Sequence, residues 1–311
     1  MHVFFTRLAL TAFACLGVAA CGRPEALSRI QGVTMGSTWS LQAARATDET
    51  RELIQKHLDQ REAVFSHWRA DSPLSRFNDS TSTAWFPVPP ELVAAVQVAH
   101  EIGTQTGGAL DVTVGAKVEE MGFGAATMQQ QNPGMDSVIG WQHLNWREEP
   151  PALRKDHPGL RIHVAAVVEG VVMDELVARL KQQGMRDFLL EIGGEVAAIG
   201  CSPDAQPWQV GIQSPDGSPG ETLECLPLTN ACIATSGSYR HRHEREGRTY
   251  SHLMDPRTGQ PVVHKLVSVS VIHPSCVLAD GYATALMVLG PQDGRQVAEK
   301  LGLRVIWLEE R

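Results

Sequence analysis

The sequence lacks an excess of basic residues. Its 35 aspartates and glutamates outnumber its 27 lysines and arginines, and its formal net charge is −8 at pH 7. A protein that binds nucleic acid without sequence preference normally carries a basic face. The charge balance therefore argues against that class of function, and we expect no nucleic-acid partner.

The sequence also lacks any apolar run close to the ~20 residues that a membrane-spanning helix needs. Its one pronounced run, at residues 8–18, follows the positive charge of Arg7 and is too short to span a bilayer. This arrangement is typical of an export signal that is removed from the mature chain. We therefore predict a signal peptide at residues 1–20.

The predicted signal ends in the letters VAAC at residues 18–21, which resemble the processing box of a bacterial lipoprotein. Cleavage before Cys21 would leave its thiol for lipidation, and residues 21–30 would form a tether. The alternative is a plain signal peptide with an incidental cysteine. On the lipoprotein interpretation, the mature protein is exported and anchored to the membrane without spanning it, and it faces the periplasm.

No two cysteines have the C-x-x-C spacing, so a cysteine metal site is not expected. Apart from Cys15 in the signal and Cys21 at the anchor, the chain has four cysteines, Cys201, Cys225, Cys232 and Cys276. An exported compartment permits disulfides. Four well-spread cysteines in a chain of this size can equally be free and buried, so the sequence leaves their pairing open.

The sequence shows no internal repeat, low-complexity tract or interdomain linker. With 311 residues, of which 43% are hydrophobic and 20% charged, it can bury the core of one large domain or two small ones. The predicted strands are interrupted by helices without a regular βαβ alternation. We therefore predict an α+β fold for residues 31–311 instead of a doubly wound parallel sheet.

Apolar spacing and capping residues predict the individual elements. The predicted helices are residues 47–65, with Asp48 as the N-cap, and residues 90–106, 171–183, 275–289 and 294–300. Residues 71–78 are predicted to be a polar loop and residues 136–146 a hairpin. The predicted strands are residues 31–41 around a turn, 109–115, 160–164, 188–192, 208–213, 223–228, 232–234, 248–252, 266–271 and 304–308.

Asp280 and Thr284 are unusual polar residues in an otherwise apolar predicted helix. Residues four apart in a helix are neighbours in space, so this carboxylate and this hydroxyl are expected to lie side by side. Burying both without a partner would be unfavourable. A hard cation that prefers oxygen ligands is one natural partner.

Seven short motifs occur in a fixed order along the chain. They are MGSTW at 35–39, DSPLSRFN at 71–78, GALDVT at 108–113, GFG at 122–124, IGGE at 192–195, YSHLMDPRTG at 250–259 and ADGYATA at 279–285. Each motif is weak alone, but the ordered series resembles the ApbE family of flavin transferases, also called FAD:protein FMN transferases. The resemblance extends from about Gly32 to the C-terminus.

The resemblance implies an α+β architecture of the T-fold type, in which two subdomains hold FAD in the cleft between them. It also implies an enzyme that cleaves FAD with Mg²⁺, moves FMN onto a Thr or Ser hydroxyl of an exported flavoprotein, and releases AMP. The acceptor would belong to a membrane redox or respiratory complex. Such chemistry depends mainly on positioning and charge neutralisation, and Mg²⁺ supplies both.

The resemblance further implies roles for individual residues. Asp280 and Thr284 would bind the metal, with the backbone of Ala283 nearby and the backbone oxygen of Ala166 as a third ligand. His252 would lie near the flavin end and accept the proton of the acceptor hydroxyl. The contacts with flavin and adenine would fall on Met35, Trp68, Ala109, Leu110, Asp111 and Met254.

The sequence departs from the family pattern beside the expected FAD site. Residues 163–171 read HVAAVVEGV, so that Glu169 stands where the family has a lysine and His163 where it has an aspartate; Ser238 replaces another aspartate. Near a pyrophosphate, Glu169 would lower affinity unless it faces the flavin ring or adenine. The alternatives are therefore a non-catalytic FAD-binding or FAD-donor lipoprotein, and an FAD pyrophosphatase that releases FMN and AMP.

Overall fold

The fold is described by a computed structural model of the protein, which covers residues 27–121, 137–213, 222–237, 242–245, 248–251 and 253–310. A 3-10 turn lies at Trp141–His143. None of the helices in this part of the chain is long and apolar enough to cross a membrane. The α-helices described are α1 (Asp48–Phe65), α2 (Pro73–Asp79), α3 (Pro90–Gln105), α4 (Gly115–Glu120), α5 (Ala165–Gln182) and α6 (Cys276–Leu301).

Most of the strands are short. They are β1 (Ser28–Thr34), β2 (Ser37–Ala43), β3 (Phe86–Pro87), β4 (Leu144–Arg147), β5 (Ala152–Lys155), β6 (Phe188–Ile192), β7 (Glu195–Ile199), β8 (Trp208–Gln213), β9 (Thr222–Leu228), β10 (Ala231–Gly237), β11 (Arg242–Arg245), β12 (Arg248–Ser251), β13 (Met254–Asp255), β14 (Gln260–Pro261), β15 (Leu266–His273) and β16 (Arg304–Glu309).

Seven of these strands form one antiparallel sheet, in the order β1-β2-β6-β7-β10-β15-β16. The other strands form small sheets of two or three, β3-β5-β4, β8-β9, β11-β12 and β13-β14. An antiparallel sheet combined with separate helices is a mixed α+β architecture. The predicted fold class is confirmed at this level.

The two faces of the central sheet pack against different partners. Successive strand residues point to opposite faces; in β10, Cys232 and Ala234 belong to the main core and Ile233 to a second, smaller one. The main core also contains buried residues of α1, α3, α5 and α6. The smaller core contains Trp208 and Val210 of β8. Helices thus cover one face of the sheet, and the β8-β9 hairpin packs on the other.

Most predicted elements are confirmed, and α1 differs only in its N-cap. Thr47, and not Asp48, occupies that position, because the Thr47 hydroxyl accepts a hydrogen bond from the backbone N–H of Thr50. The Thr50 side chain reaches back to the N–H of Thr47, which completes a capping box. The strands around 188–192, 208–213, 223–228, 232–234, 266–271 and 304–308 are present with small shifts of boundary, and the strand predicted at 248–252 is present over its described residues, 248–251.

The loop predicted at residues 71–78 is wrong, since most of it forms α2. The Ser72 hydroxyl accepts from the backbone N–H of Ser75 at 2.9 Å, and Pro73 occupies the first helical turn, where its missing N–H does no harm. Asn78, near the end of α2, exchanges two hydrogen bonds of 2.8 Å with the backbone of Ile162. The motif at 71–78 therefore fixes the segment that leads into α5.

The strands predicted at residues 109–115 and 160–164 are also wrong. The first forms only an isolated bridge, from Val114 to Arg161, before α4 begins. Asp111 prevents a strand at 109–115, because its Oδ1 accepts hydrogen bonds from the backbone N–H and the hydroxyl of Thr113 at 2.9 and 2.7 Å. Such a bond from side chain to nearby backbone stabilises a turn in competition with a strand.

Three further boundaries differ from the prediction. Helix α5 begins at Ala165, six residues early; Val167, Val168 and Gly170 in its first turns are buried, whereas Ala165 is exposed. The hairpin expected at 136–146 lies later in the chain and pairs β4 with β5. The helices predicted at 275–289 and 294–300 are the two halves of α6, which meet at a break at Gly290 with a non-helical φ of 77°, so the second half begins nearer the first than predicted.

Candidate active site

Helices α5 and α6 cross in close contact at the beginning of α6. The Asp174 carboxylate, on α5, accepts hydrogen bonds from the Ser275 hydroxyl and from the backbone N–H groups of Cys276 and Val277, at 2.8, 2.8 and 3.1 Å. A negative charge is favourable at a helix N-terminus. A Cβ atom at Gly170 would lie 2.7 Å from the Cys276 carbonyl oxygen, so this approach requires glycine.

One turn further along, Asp280 meets the same face of α5. Its Oδ2 accepts from the backbone N–H of Gly170 at 3.1 Å. Asp174 lies opposite Cys276 at the start of α6, and Gly170, four residues before Asp174, lies opposite Asp280, four residues after Cys276. The two helices therefore run antiparallel, and the residues that face each other are spaced four apart on each helix. A further step of four residues along both helices would bring Ala166 level with Thr284. In a regular helix the Gly170 N–H also points to the Ala166 carbonyl, so this carbonyl and the Asp280 carboxylate face the same donor.

Strand β10 forms the third side of the site. The Ser236 Oγ lies 2.9 Å from the Thr284 Oγ1. Four residues earlier, Cys232 forms a disulfide with Cys276, with their Cα atoms 5.0 Å apart. This settles part of the cysteine pairing that the sequence left open. The other two cysteines in the described ranges, Cys201 and Cys225, have free thiols.

Acidic side chains surround Asp280, which is 6% exposed. Burial and the negative charge of Glu169 raise the pKa of Asp280 well above its ordinary value, whereas hydrogen bonds with the Glu195 side chain and the Gly170 N–H act to lower it. The Glu169 carboxylate lies against Gly193, where a Cβ atom would be 2.9 Å from both of its oxygens. Grouped carboxylates of this kind are stabilised by a cation.

The segment that contains Ala109, Leu110 and Asp111 is a tightly held loop. Ala109 and Leu110 are buried. The Asp111 Oδ2 accepts from the backbone N–H of Trp141 at 2.9 Å, while its Oδ1 is bound to Thr113. The carboxylate therefore shapes the loop, and its contact with a ligand stays a prediction.

Trp68 lies just beyond the end of α1 and is 65% exposed. Its ring is 5.0 Å from the ring of His67, which is 4.8 Å from the ring of His163. The backbone N–H of His163 donates to the Val112 carbonyl at 2.7 Å. Trp68 is thus linked to the loop of Asp111 through His67 and His163. Burial lowers the pKa of His67, which favours its neutral form.

The two predicted methionine contacts lie in different turns. Met35 occupies the β1–β2 turn with φ of 44°, and its backbone N–H donates to Glu62 on α1 at 3.4 Å. Met254 is buried in β13, which pairs with β14 and packs beside α6. In the turn that follows, the Arg257 side chain donates two hydrogen bonds to the Asp255 carboxylate, of 2.8 and 2.9 Å.

Several predicted positions lie outside the described residues. They include Cys21, His252 and Ser238, together with the GFG motif at 122–124. Ala283 lies within α6 and is buried, one residue before Thr284.

Three contributors to the site were not identified as such from the sequence. Ser236 lies two residues before Ser238 and in none of the seven motifs, and Glu195 stands only at the end of IGGE. Asp174 had no motif at all, although its spacing from Ala166 and Gly170 repeats every four residues along α5. That spacing matches Cys276, Asp280 and Thr284 on α6, and it is the signal that could have found them.

The fold and the site define a mixed α+β protein with a buried, oxygen-rich centre between two helices and a strand. The sequence profile of the ApbE family matches residues 35–307. The chain belongs to the ApbE family, which confirms the resemblance of its ordered motifs.

Relatives with a named activity cover nearly the whole chain. The FAD:protein FMN transferase of Escherichia coli (strain K12) is 35% identical over 324 residues, covering 98% of this chain and 92% of its own. The FAD:protein FMN transferase of a Vibrio cholerae serotype O1 strain is 35% identical over 302 residues, covering 94% and 90%.

Solved structures agree with the fold. The flavin transferase ApbE from Vibrio cholerae has a TM-score of 0.79 and 32% identity, with 92% of this chain and 95% of that chain covered. The apo form of the Pseudomonas stutzeri flavinyl transferase ApbE has a TM-score of 0.80 and 31% identity, with 92% of each chain covered.

Proposed function

We propose that this protein is an FAD:protein FMN transferase that uses Mg²⁺ to move FMN from FAD onto a Thr or Ser hydroxyl of an exported flavoprotein, releasing AMP. The activity named for relatives at 35% identity supports the reaction class. The observation that carries the proposal is that buried Asp280 meets α5 while half-buried Thr284, one helical turn away, meets β10. The acceptor is proposed to belong to a membrane redox or respiratory complex.

The donor groups at this point fit Mg²⁺. The ion prefers hard oxygen ligands and commonly keeps only one or two carboxylates beside substrate phosphates. Asp280 offers a buried carboxylate, Thr284 a hydroxyl, and Ala166 and Ala283 backbone carbonyls. When bound, Mg²⁺ would neutralise charge on the pyrophosphate during the transfer.

The protein's own groups position these donors. The Gly170 N–H and Glu195 orient the Asp280 carboxylate, and Ser236 orients the Thr284 hydroxyl. The acceptor oxygen bonds to the FMN phosphorus, the bond from that phosphorus to the bridging oxygen breaks, and AMP leaves. His252 is proposed to take the acceptor proton as a general base.

The flavin and adenine are proposed to bind in a cleft between two subdomains of the T-fold. Exposed Trp68 offers an aromatic face for stacking. The contacts that connect Trp68 through His67 and His163 to the Asp111 loop support a common binding surface. The proposed ligand contacts are Met35, Trp68, Ala109, Leu110, Asp111, Glu169 and Met254.

The protein is proposed to act as an exported lipoprotein that faces the periplasm. The support is the apolar run at 8–18 and the VAAC letters at 18–21. Lipidation of Cys21 would keep the enzyme near membrane-bound acceptors.

Glu169 favours a second candidate function. Its negative charge acts on Asp280, and its carboxylate lies at the Gly193 turn. Extra negative charge beside an anionic substrate weakens its binding and can disturb the transfer step. On this alternative the chain binds FAD as a donor, or cleaves it with water as the acceptor.

An assay of AMP release from FAD tests the proposal. With Mg²⁺ and an acceptor present, AMP should form, EDTA should abolish it, and Asp280→Asn should lower the rate by more than about 100-fold, beyond the effect typical of an outer-sphere residue. Thr284→Val should also lose activity, while Thr284→Ser, which keeps the hydroxyl, should retain most of it. FAD binding without AMP release by the wild-type protein would support the donor alternative.

Glu169→Lys is the informative variant for the second candidate. If Glu169 belongs to the cation's environment, a lysine there repels the cation, and the Mg²⁺ requirement should rise. A faster transfer in Glu169→Lys would instead show that the acidic residue impairs the reaction.

A further inference from the structure

Two links join α6 to β10 at matched positions. The first is the disulfide of Cys232 with Cys276, and the second is the hydroxyl pair of Ser236 and Thr284. The two β10 residues are four apart and span about 13 Å along a strand. The two α6 residues are eight apart and span about 12 Å along a helix. The two spans are nearly equal, so the disulfide and the hydroxyl pair can form together in a single alignment of α6 along β10.

Asp280 lies midway between the two links. It is one helical turn from Cys276 and one turn from Thr284, so all three residues share the face that meets β10 and α5. A slip of α6 by one residue would move this face by about 1.5 Å. Functional groups need to be held within about 0.5 Å of the productive geometry, so the register itself decides whether the site is formed.

We infer that the Cys232–Cys276 disulfide positions Asp280 and Thr284, and that the cation site is complete only when this disulfide is formed. The inference rests on the proposed function for the identity of the two ligands. Both half-cystines are buried, at 2% and 1% exposure, beside the first turn of α6. The disulfide therefore positions the residues of the site, in addition to stabilising the fold.

The disulfide couples maturation of the site to the redox environment. Its formation removes two protons and two electrons from the Cys232 and Cys276 thiols and transfers them to a disulfide oxidant through exchange, and a dithiol reverses the reaction. An exported protein meets such an oxidising environment only after export. The enzyme would then remain incomplete in a reducing compartment.

Reduction should loosen the site without releasing α6 from α5. The three hydrogen bonds from Ser275, Cys276 and Val277 to Asp174 involve no sulfur and remain possible. The link to β10 would then depend on the hydroxyl pair of Ser236 and Thr284. We expect the register between α6 and β10 to fluctuate while the chain stays folded.

Binding of Mn²⁺, followed by electron paramagnetic resonance, tests the inference with an ion that takes the same oxygen ligands. The parent protein carries Cys201→Ser and Cys225→Ser, so that the disulfide is its one redox-active cysteine pair in the described ranges. Adding Cys232→Ala and Cys276→Ala should weaken Mn²⁺ binding by about 10- to 100-fold, as for other groups that orient metal ligands. Val210→Ala, in the smaller core on the opposite face of the sheet, is the matched control for lost stability.

Hydrogen exchange on the parent before and after dithiol reduction provides a second readout, which needs no variant to fold. Exchange should become faster at residues 276–284 and change little in β8. Unchanged exchange there, together with unchanged Mn²⁺ affinity on reduction, would overturn the inference. If the oxidised parent binds no Mn²⁺, the proposed cation is wrong, and hydrogen exchange alone then decides whether the disulfide fixes the register.

Discussion

Burial disfavours the charged form of an ionisable side chain, and two residues of this protein show the effect in opposite directions. It raises the pKa of Asp280 well above its ordinary value and lowers the pKa of Lys155 to about 8. Lys155 is fully buried and donates to the carbonyl oxygens of Asn78 and Leu160 at 3.2 and 3.0 Å. Lys155 therefore holds the segment before α5 in place, whereas Asp280 faces the other acidic residues of the site.

Lys155 should make stability depend on pH in the alkaline range. Its pKa is about 8 in the folded chain and about 10.4 when unfolded. Between these values the unfolded chain binds more protons, so the free energy of unfolding should rise with pH, by up to about 3 kcal/mol from this group. Below pH 8 its contribution should be flat.

Denaturant unfolding of wild type and Lys155→Met between pH 7 and 10.5 measures this contribution. The methionine fills a similar volume and does not titrate. The stability difference between the two proteins should therefore change across the window in favour of wild type. A difference that stays constant from pH 7 to 10.5 would show that the Lys155 pKa is not lowered by folding.

Helix α6 is broken at Gly290 and Pro291, and a side chain from outside the helix hydrogen-bonds the carbonyl that this break leaves free. Pro291 has no N–H, so the Met287 carbonyl loses its usual partner four residues on. The His264 Nε2 lies 2.7 Å from that oxygen, and the His264 Nδ1 accepts from the backbone N–H of Leu266 at 3.2 Å. The imidazole therefore carries its proton on Nε2 and donates it to Met287. This bond completes the end of the half-helix that carries Asp280.

Replacing His264 should destabilise the fold through the Met287 carbonyl. His264→Ala leaves this buried acceptor without its donor, and we expect a loss of about 1–3 kcal/mol in the free energy of unfolding. His157→Ala, an exposed site, should change stability by less than about 0.5 kcal/mol. Equal losses in the two variants would contradict the capping role. Denaturant unfolding at neutral pH provides the comparison.

Gly170 sets the distance between α5 and α6. In a helix interior, Gly→Ala normally gains roughly 0.5–1 kcal/mol, but here the Cβ would lie 2.7 Å from the Cys276 carbonyl oxygen. Overpacking of this kind costs about 1–3 kcal/mol. We expect the cost of overpacking to exceed the gain in helix propensity, so Gly170→Ala should lower stability and weaken Mn²⁺ binding at Asp280. A stabilised variant with unchanged Mn²⁺ affinity would refute the close approach.

At the scale of the whole molecule, helix spacing and motif order predicted the site's helix face and the family, but contacts between distant residues and turns stabilised by side chains were not predicted. The four-residue spacing placed Asp280 and Thr284 on one helix face, and the ordered motifs identified the family. The sequence could not show that Glu169 acts on Asp280, more than a hundred residues away. Nor could it choose the Cys232–Cys276 pair among the possible pairings. The strand predicted at 109–115 failed because the Asp111 side chain outcompeted the strand tendency of its neighbours.

The central claim is that this chain transfers FMN to another protein, and the intact mass of an acceptor tests it most directly. The probe is a flavin-free exported flavoprotein whose mature form carries FMN on a threonine. With FAD and Mg²⁺, the acceptor should gain the mass of FMN less one water, with one AMP released per adduct, and Asp280→Asn should give neither. AMP without an adduct would show that water is the acceptor, and bound FAD with neither product would contradict catalysis altogether.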